Sequence, residues 1–281
     1  MTRHQMLSEL KKNFAQFEDP PTEARALLRD ALNLSFNELV LNDQSLSAEE
    51  KKKIDDWTER RLNGEPLAYI SGKKAFHKYE FKVGPGVLIP RPETELLVFV
   101  GSKRVVQSNR VRVADLGCGS GCVGLTLFKE MEHVELYAVD ASAEACRYTG
   151  DNAVLLGATE HIHIFHTDVN LWRPEVQFDL IVANPPYIPL GDPNVEAHVH
   201  RFEPHEALYS GPDGLLAIRD WVTWSPGHLR KDGILALEIG AGQSAKVMEI
   251  MFEAGFEDVQ IQKDFAGIER IISGKRGAQH G

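Results

Sequence analysis

The chain after Arg110 alternates short, predominantly apolar runs with longer segments of helical periodicity, and this alternation restricts the fold more than any other feature. Val111 to Leu116, Val134 to Val139 and Phe178 to Ala183 are such runs, and they are typical of strands buried on both faces. Further strands are predicted near 161–166, 234–239, 257–262 and 268–272, and helices near 143–156, 215–229 and 244–254. The pattern predicts an α/β fold with a parallel sheet covered by helices on both faces.

The first 75 residues show the spacing of helices instead. Apolar side chains recur at helical spacing before and after the Pro20-Pro21 break. Thr22 is predicted to cap the second helix, and Ser47-Ala48-Glu49-Glu50 is a capping box that opens a third. Residues 1–75 are therefore predicted to form a small helical bundle. A docking module and a purely structural lid explain it equally well.

Between these parts, apolar residues alternate with polar ones from Phe76 to Ile89, around the sequence Gly84-Pro85-Gly86. We expect a hairpin with its turn at these three residues, acting as a linker over 76–90. The third part, 91–281, begins at Arg91, which lies between two prolines ahead of a predicted helix. A simple helix start explains the neighbouring acidic residues but not this arginine.

Charge is distributed unevenly along the chain. Residues 1–90 hold 14 of the 31 basic and 14 of the 41 acidic residues, so 91–281 hold 17 and 27, and the net charge of −10 lies in that part. A surface of this sign repels phosphate backbones and attracts a basic protein. We therefore expect no stable nucleic-acid binding.

The composition also bears on location and metal binding. No apolar run reaches the roughly 18 residues needed to cross a bilayer, and no secretory signal pattern opens the chain. With three cysteines, a disulfide framework is not expected, and a cytoplasmic protein without membrane contact is predicted. Cys118 and Cys122 lack histidine neighbours, so we predict no metal site.

A glycine-rich turn closes the first of the predicted strands. It reads Asp115-Leu116-Gly117-Cys118-Gly119-Ser120-Gly121, and glycines at alternate positions allow a sharp turn and a close approach of ligand to backbone. The dinucleotide pattern G-x-G-x-x-G fails, because Cys122 occupies its third glycine position. The turn predicts a cofactor loop formed by Asp115, Gly117, Cys118, Gly119, Ser120 and Gly121.

Two more carboxylates follow the next two strands. Asp140 is placed to accept hydrogen bonds from two ribose hydroxyls, and Asp168 from an adenine amino group, with Val169 available to pack on the ring. Open α/β sheets bind ligands at the carboxyl ends of their strands. The set therefore predicts a nucleoside pocket.

The fourth strand ends in Asn184-Pro185-Pro186-Tyr187. The prolines stiffen the backbone and leave its carbonyls free to accept hydrogen bonds, Asn184 offers one acceptor and two donors, and Tyr187 offers a flat face. These groups suit an amide or an aromatic amine. A strand-ending turn is the alternative interpretation.

Together these motifs resemble the seven-strand, Rossmann-like S-adenosylmethionine-dependent methyltransferases, and within them the release-factor glutamine methyltransferase family. The resemblance covers nearly the whole chain. Besides the glycine turn and Asn184-Pro185-Pro186-Tyr187, it rests on four segments: 87–95 (VLIPRPETE), 201–204 (RFEP), 213–215 (DGL) and 237–240 (LEIG).

The resemblance implies methylation of the glutamine in the Gly-Gly-Gln motif of class-one peptide chain release factors, with S-adenosylhomocysteine as by-product. It implies that Asn184 and the carbonyl of Pro185 accept hydrogen bonds from the glutamine amide and that Pro186 and Tyr187 complete the substrate site. Asn184 is also expected to adjoin the cofactor. The helical bundle would dock the substrate. Cys118 and Val169 depart from the residues usual in the family and bear on cofactor affinity.

Two related activities stay open. Ribosomal-protein glutamine methyltransferases typically carry Pro-Arg-Ser-Pro where this chain has Pro-Arg-Pro-Glu, which makes that activity the less favoured one. An adenine methyltransferase acting on DNA or RNA would use the same Asn-Pro-Pro-Tyr motif after base flipping, and the acidic charge of 91–281 argues against it. A third hypothesis is a binding module that keeps the fold without catalysis.

Overall fold

A computed structural model describes residues 1–105 and 109–277 of the chain, which divides into two compact units between Gly72 and Lys73. The helices of the first unit are α1 (Arg3–Asn13), α2 (Pro20–Leu32), α3 (Phe36–Leu41), α4 (Ala48–Leu62) and α5 (Leu67–Ser71). Those of the second are α6 (Glu95–Arg104), α7 (Cys122–Glu130), α8 (Ala143–Leu156), α9 (Ala197–Phe202), α10 (Leu216–Trp224) and α11 (Ser244–Glu253). The strands are β1 (Lys73–Phe76), β2 (Tyr79–Lys82), β3 (Val111–Leu116), β4 (Val134–Asp140), β5 (Ile162–His166), β6 (Phe178–Ala183), β7 (Leu229–Glu238), β8 (Phe256–Lys263) and β9 (Glu269–Arg276).

The first unit is a helical bundle around a core of its own, which includes Phe14 and Ile54. Ser47 caps α4 in the predicted capping box, with both reciprocal hydrogen bonds formed. The prediction that Thr22 caps α2 is wrong, because Asp19 is the capping residue. The two prolines after Asp19 carry no N–H, so the Thr22 N–H is the first that can donate to the Asp19 carboxylate, at 3.1 Å.

The hairpin forms earlier in the chain than predicted. β1 and β2 pair antiparallel with Phe76 opposite Tyr79, so the turn lies at 77–78, where His77 adopts a φ of 56°. The expectation that Gly84-Pro85-Gly86 turns the hairpin is wrong: these residues do form a turn, in which the Val87 N–H donates to the Gly84 carbonyl at 3.3 Å, but this turn does not connect β1 and β2. The Asn152 side chain binds the backbone N–H and carbonyl of Lys82, and the pairing of β1 with β2 ends there. The alternation of apolar residues continues past this point because Val83, Val87 and Ile89, which lie in the loop after β2, are also buried.

The second unit contains a seven-strand sheet in the order β5-β4-β3-β6-β7-β9-β8, which confirms the predicted α/β class. The first five strands in this order are parallel, whereas β9 runs antiparallel to β7 and to β8. The prediction of a parallel sheet is therefore confirmed for these five strands and wrong for the pairs that β9 forms with β7 and β8. A short connection between β8 and β9 requires a hairpin, and a hairpin is antiparallel. β7 also begins five residues earlier than predicted, and α10 ends correspondingly earlier.

Helices cover the sheet on both faces, as expected. Residues on one face of the central strands, such as Val113 and Leu180, pack with side chains from α6, α7 and α8. Their neighbours Ala114 and Ile181 pack on the opposite face with α10 and α11. The period of two along a strand sends alternate side chains to the two layers, and burying each large aliphatic side chain stabilises the fold by about 1.5–3 kcal/mol.

Successive strands run outward from the centre of this sheet in both directions. β3, β4 and β5 proceed to one edge, while β6 lies on the other side of β3, with Leu116 opposite Ala183 at the carboxyl ends. The order of strands thus reverses between β3 and β6. In open α/β sheets this switch point is where ligands bind.

Candidate functional site

The turn after β3 has the backbone that its glycines require. Gly117 and Gly119 have φ values of +65° and +56° in the left-handed region. A Cβ on Gly117 would lie 2.7 Å from the Trp221 ring, whereas one on Gly119 would meet nothing within 4 Å. Gly117 therefore packs closely against α10. At Gly119, the space that a side chain would occupy is open.

Asp115 lies beneath this turn, at the end of β3. Its side chain is 2% exposed, and its Oδ2 accepts a hydrogen bond from the backbone N–H of Gly124 at 2.9 Å. Burial raises the pKa of the Asp115 carboxyl to about 7, and the charge of nearby Asp140 adds to the rise. Asp115 is thus a buried carboxyl close to its point of ionisation at neutral pH.

Asp140 ends β4 and bonds to the glycine turn. Its Oδ2 accepts from the Gly119 N–H at 2.9 Å, and its Oδ1 from the Ser142 N–H at 2.8 Å. Burial raises the pKa of Asp140, and these backbone hydrogen bonds oppose the rise. Each oxygen keeps a further lone pair, so the carboxylate can accept from two hydroxyl groups of a ligand.

Asp168 lies two residues beyond the end of β5. Its Oδ1 accepts from the Asn170 N–H at 2.7 Å, and Val169 beside it is 4% exposed. The Asn170 side chain in turn contacts Asp220 of α10, with Nδ2 and Oδ2 3.5 Å apart. Asp168, Asn170 and Asp220 line the same cavity as the apolar side chain of Val169.

Asn184 follows β6 directly, and its Nδ2 donates to Thr94 Oγ1 at 3.3 Å. Tyr187 is turned towards the interior, where its hydroxyl donates to Glu238 Oε1 at 3.1 Å. Burial raises the pKa of the Tyr187 phenol, and the adjacent Glu238 carboxyl raises it further. A phenol held in this way stays protonated and acts as an anchor for the turn.

Two other residues hold the same turn in place. Gln243 accepts a hydrogen bond from the Gly240 N–H at 2.8 Å and donates one to the Tyr187 carbonyl at 2.9 Å. A Cβ on Gly214 would lie 2.3 Å from the Tyr187 carbonyl oxygen, so only glycine fits there.

One cavity of about 650 Å³ joins these elements at the switch point. Ten of the predicted site residues line it: Asp115, Gly117, Cys118, Gly119, Ser120, Asp140, Asp168, Val169, Asn184 and Pro186. Three do not reach its wall, namely Gly121, Pro185 and Tyr187. The volume is typical of sites for small molecules and cofactors.

The cavity wall also contains residues that were not predicted as site residues, among them Thr94, Ser142, Asn170, Asp220 and Trp221. Thr94 lies within the segment 87–95, which was recognised as a motif without a role for this residue. The others follow predicted strands or lie on a predicted helix, and no local pattern distinguishes them.

The arginine between two prolines has a partner in the structure. Arg91 forms an ion pair with Glu203 at 2.5 Å, and Glu203, which is 4% exposed, also accepts from the Ile89 N–H at 3.0 Å. The two carboxylate oxygens of Glu203 thus bind two different residues of the segment 87–95, and they join this segment to 201–204. It fixes Pro90, which lines the cavity.

Within 1–105 and 109–277, no group of three or more His, Cys, Asp or Glu side chains is arranged to hold a metal ion. No helix of that part of the chain combines the length and apolar character needed to cross a bilayer.

Family models and relatives agree on one family. The model for the PrmC N-terminal domain matches residues 5–72, and that for the methyltransferase small domain matches residues 93–203. The release factor glutamine methyltransferase of Neisseria gonorrhoeae is 40% identical over 260 residues, which cover 91% of this chain and 93% of that protein. That of Coxiella burnetii is 35% identical over 277 residues, covering 96% and 99%.

Solved structures share the fold. The ribosomal protein L11 methylase of Lactobacillus delbrueckii subsp. bulgaricus has a TM-score of 0.51 at 23% identity, covering 70% of this chain and 86% of that one. A methyltransferase of Pyrococcus furiosus has a TM-score of 0.52 at 17% identity, covering 80% and 100%. At sequence identities this low, structural similarity supports the fold alone. The family is decided by the Neisseria gonorrhoeae and Coxiella burnetii relatives, which match over nearly their whole length. The chain belongs to the release factor glutamine methyltransferases.

Proposed function

We propose that this protein transfers a methyl group from S-adenosylmethionine to the side-chain amide nitrogen of the glutamine in the Gly-Gly-Gln motif of class-one peptide chain release factors. The reaction is proposed for the cytoplasm, without a metal, with S-adenosylhomocysteine as by-product. The observation that carries this proposal is the meeting of the glycine turn, Asp140 and Asn184 around one cavity at the switch point.

The residues present fit the cofactor. Asp140 has free lone pairs for two ribose hydroxyls, and Val169 offers an apolar surface for the adenine beside the polar groups of Asp168 and Asn170. Ser120 Oγ is buried at the cavity wall and has no hydrogen-bond partner within the described part of the chain, so a polar ligand group would satisfy it. When bound, S-adenosylmethionine supplies an electrophilic methyl group on a sulfonium.

Asn184 and the carbonyl of Pro185 are proposed to hold the glutamine amide. Because Asn184 Nδ2 donates to Thr94, the Asn184 Oδ1 atom remains to accept a hydrogen bond from the substrate N–H. An amide nitrogen is a poor nucleophile, since its lone pair is delocalised. Fixed acceptors that align it and favour the positive charge developing on it therefore supply much of the catalysis, and no strong base is needed.

Tyr187 supports the same site from behind. Its hydroxyl is bonded to Glu238 and its carbonyl to Gln243, so the turn that carries Asn184 and Pro186 is held at both ends of Tyr187. We assign Tyr187 this anchoring role, and we propose that its ring lies beside the substrate amide.

The helical unit 1–72 is proposed to dock the release factor. The acidic charge of residues 91–281 would attract a basic protein surface and disfavour stable nucleic-acid binding. Both features suit a protein substrate better than an oligonucleotide.

The test is methyl transfer from labelled cofactor to purified release factors, followed by mass spectrometry of the modified residue. We expect one methyl group on the side chain of the Gly-Gly-Gln glutamine. Transfer to a ribosomal protein or to adenine in an oligonucleotide, with none to the release factor, would overturn the proposal. Absence of cofactor binding in equilibrium titration would favour a non-catalytic module.

Two substitutions separate the proposed roles. Asn184→Ala is expected to abolish most turnover with nearly unchanged cofactor affinity, because its carbonyl serves the substrate amide. Asp140→Ala is expected to weaken cofactor binding first, since it removes the ribose acceptor. Calorimetric titration with cofactor and steady-state methylation distinguish them, and a collapse of cofactor affinity in Asn184→Ala would refute the assignment.

A further inference from the structure

A fully buried side chain on α8 binds two distant segments of the second unit. Asn152 is 0% exposed, and its Oδ1 accepts a hydrogen bond from the backbone N–H of Lys82 at 2.7 Å. Its Nδ2 donates to the Lys82 carbonyl and to the Ser120 carbonyl, both at 2.9 Å. Lys82 ends β2 and Ser120 lies in the glycine turn, so Asn152 joins the hairpin to the predicted cofactor loop.

These three hydrogen bonds determine the orientation of the Asn152 amide. Both of its N–H donors face carbonyl oxygens, and its own carbonyl faces an N–H. In the flipped orientation, a donor would face the Lys82 N–H and an acceptor would face two carbonyls. The site therefore requires one acceptor and two donors on a short side chain, which is what asparagine offers.

Thr149, three residues earlier on the same helix, binds the turn at the neighbouring carbonyl. It is also 0% exposed, and its hydroxyl lies 3.0 Å from the Gly119 carbonyl oxygen and 3.4 Å from Cys118 Sγ. A hydroxyl has one proton, and a carbonyl oxygen is a better acceptor than a thiol sulfur, so Thr149 donates to Gly119. α8 therefore holds two consecutive carbonyls of the glycine turn.

Holding these carbonyls sets the direction of the peptide groups in the turn. The carbonyl and the N–H of one trans peptide unit point in opposite directions, so binding of the Gly119 carbonyl by Thr149 turns the Ser120 N–H away from α8. Without that bond, a turn rich in glycine has many other backbone conformations open to it. Thr149 and Asn152 both lie outside the described wall of the cavity, so they act on a ligand through the turn.

Beyond the end of β2, the chain stays against α8 until it enters the cavity wall. A Cβ on Gly84 would lie 2.0 Å from the Tyr148 hydroxyl. One on Gly86, which lines the cavity, would lie 3.1 Å from the Glu144 Cβ. Glu144, Tyr148 and Asn152 are spaced four residues apart and share one face of the helix. The same helix thus supports the glycine turn and a second segment of the cavity wall.

We propose that Thr149 and Asn152 are positioning residues that hold the glycine turn in the form that binds S-adenosylmethionine, and that Asn152 also fixes this turn relative to the segment 86–90 of the cavity wall. The second role follows because the same amide binds Lys82, from which that segment runs along α8 into the cavity. The proposal rests on the proposed function, in which the cofactor lies against the turn.

Three variants and one control test the proposal. Thr149→Val removes the hydroxyl with little change of shape, Thr149→Ser restores a hydroxyl, and Asn152→Ala removes the bridging amide. Thr126→Val is the matched control, because Thr126 is also 0% exposed but bonds within α7, to the Cys122 carbonyl at 2.6 Å. Calorimetric titration with S-adenosylmethionine gives Kd, and methylation of the release factor at saturating cofactor gives kcat. Circular dichroism confirms folding.

We expect Kd for S-adenosylmethionine to rise about tenfold in Thr149→Val and Asn152→Ala, which is equivalent to ~1.4 kcal/mol of binding free energy, and to return to within about twofold of the parent value in Thr149→Ser. At saturating cofactor, kcat should stay near the parent value in Thr149→Val and fall about tenfold in Asn152→Ala, because only Asn152 also holds the segment 86–90. Thr126→Val should change neither quantity.

Two results would overturn the proposal. An unchanged Kd in Thr149→Val or Asn152→Ala, even with a loss of stability, would mean that the residue supports the fold and does not position the cofactor. An unchanged kcat in Asn152→Ala would refute its link to the segment 86–90.

A measurement on the unsubstituted protein covers the case in which Asn152→Ala does not fold. Because the Lys82 N–H donates to Asn152, saturation of the turn with S-adenosylmethionine should slow hydrogen exchange of this N–H by about tenfold. The His77 N–H, at the turn of the same hairpin, donates to Glu95 at 2.8 Å and should exchange at the same rate with and without cofactor. No change at Lys82, or an equal change at His77, would refute the link.

The affinity and exchange measurements use the cofactor alone and do not depend on turnover. A parent protein that binds S-adenosylmethionine but leaves the release factor unmethylated would refute the proposed function, while the variants would still decide whether Thr149 and Asn152 position the cofactor.

Discussion

The buried carboxyl under the glycine turn gives the protein a predictable response to pH. Asp115 is 2% exposed and has one hydrogen bond to its carboxylate, from the Gly124 N–H. Burial raises its pKa from an ordinary value of 3.8 to about 7 in the folded protein. Because the folded state holds this proton more tightly than the unfolded state, the contribution of Asp115 to stability is complete below pH 3.8 and is lost as the pH rises through about 7.

The size of the effect follows from the difference between the two values. At ~1.36 kcal/mol per pKa unit, a rise from 3.8 to about 7 lowers the free energy of unfolding by at most ~4 kcal/mol between acid and alkaline pH. Asp115→Asn removes the titration, since an amide does not ionise. We therefore expect the variant to become more stable relative to the parent protein as the pH is raised from 4 to 8, by up to about 4 kcal/mol.

The assay is urea unfolding of both proteins without cofactor across this pH range. The pH dependence of the difference is the diagnostic quantity, because the unpaired amide N–H of the variant adds a constant cost of about 1–3 kcal/mol. Asp213→Asn is the control. Because Arg219 lowers the pKa of Asp213 to about 2, the difference in free energy of unfolding between this variant and the parent protein should not change from pH 5 to 8. A flat difference for Asp115→Asn as well would refute the reasoning.

Two further predictions concern the support of the site. Gly214→Ala is expected to displace the Tyr187 carbonyl, which its Cβ would approach to 2.3 Å, and to lower kcat by about tenfold or more while the protein stays folded; steady-state methylation measures this. Glu203→Gln is expected to destabilise the protein by about 1–3 kcal/mol in thermal unfolding at neutral pH, because the buried carboxylate loses its charge-assisted bond to Arg91.

Each of these predictions has a matched control. Gly242→Ala introduces a Cβ at a similar φ of +81°, where nothing lies within 4 Å, so it isolates backbone strain from the clash at Gly214. Equal losses of kcat in the two glycine variants would mean that displacement of Tyr187 is not the cause. Lys246→Gln removes an exposed ion pair with Glu249, and a loss of stability as large as that of Glu203→Gln would show that burial of the Arg91 pair does not matter.

Local sequence patterns determined the elements and their class. The strand Phe178–Ala183 and the helix Ala143–Leu156 have the predicted bounds, because hydrophobic periodicity reports which face of an element is buried. The left-handed turn at Gly117 and Gly119 was also predictable, since only glycine adopts that backbone without cost. Where local signals compete, prediction failed: the chain does turn at Gly84-Pro85-Gly86, but the two strands of the hairpin are joined earlier, at 77–78, where His77 adopts a φ of 56°.

Only the tertiary structure decided which distant residues meet. Asn184 bonds to Thr94 90 positions away, and Arg91 pairs with Glu203 112 positions away. Tyr187 likewise anchors on Glu238 across 51 positions. These contacts depend on the order of strands in the sheet and on the packing of loops at their ends, which periodicity along one segment does not encode. The sequence by itself therefore determined the chemical groups available to the site, and the order of the strands decided how those groups are combined.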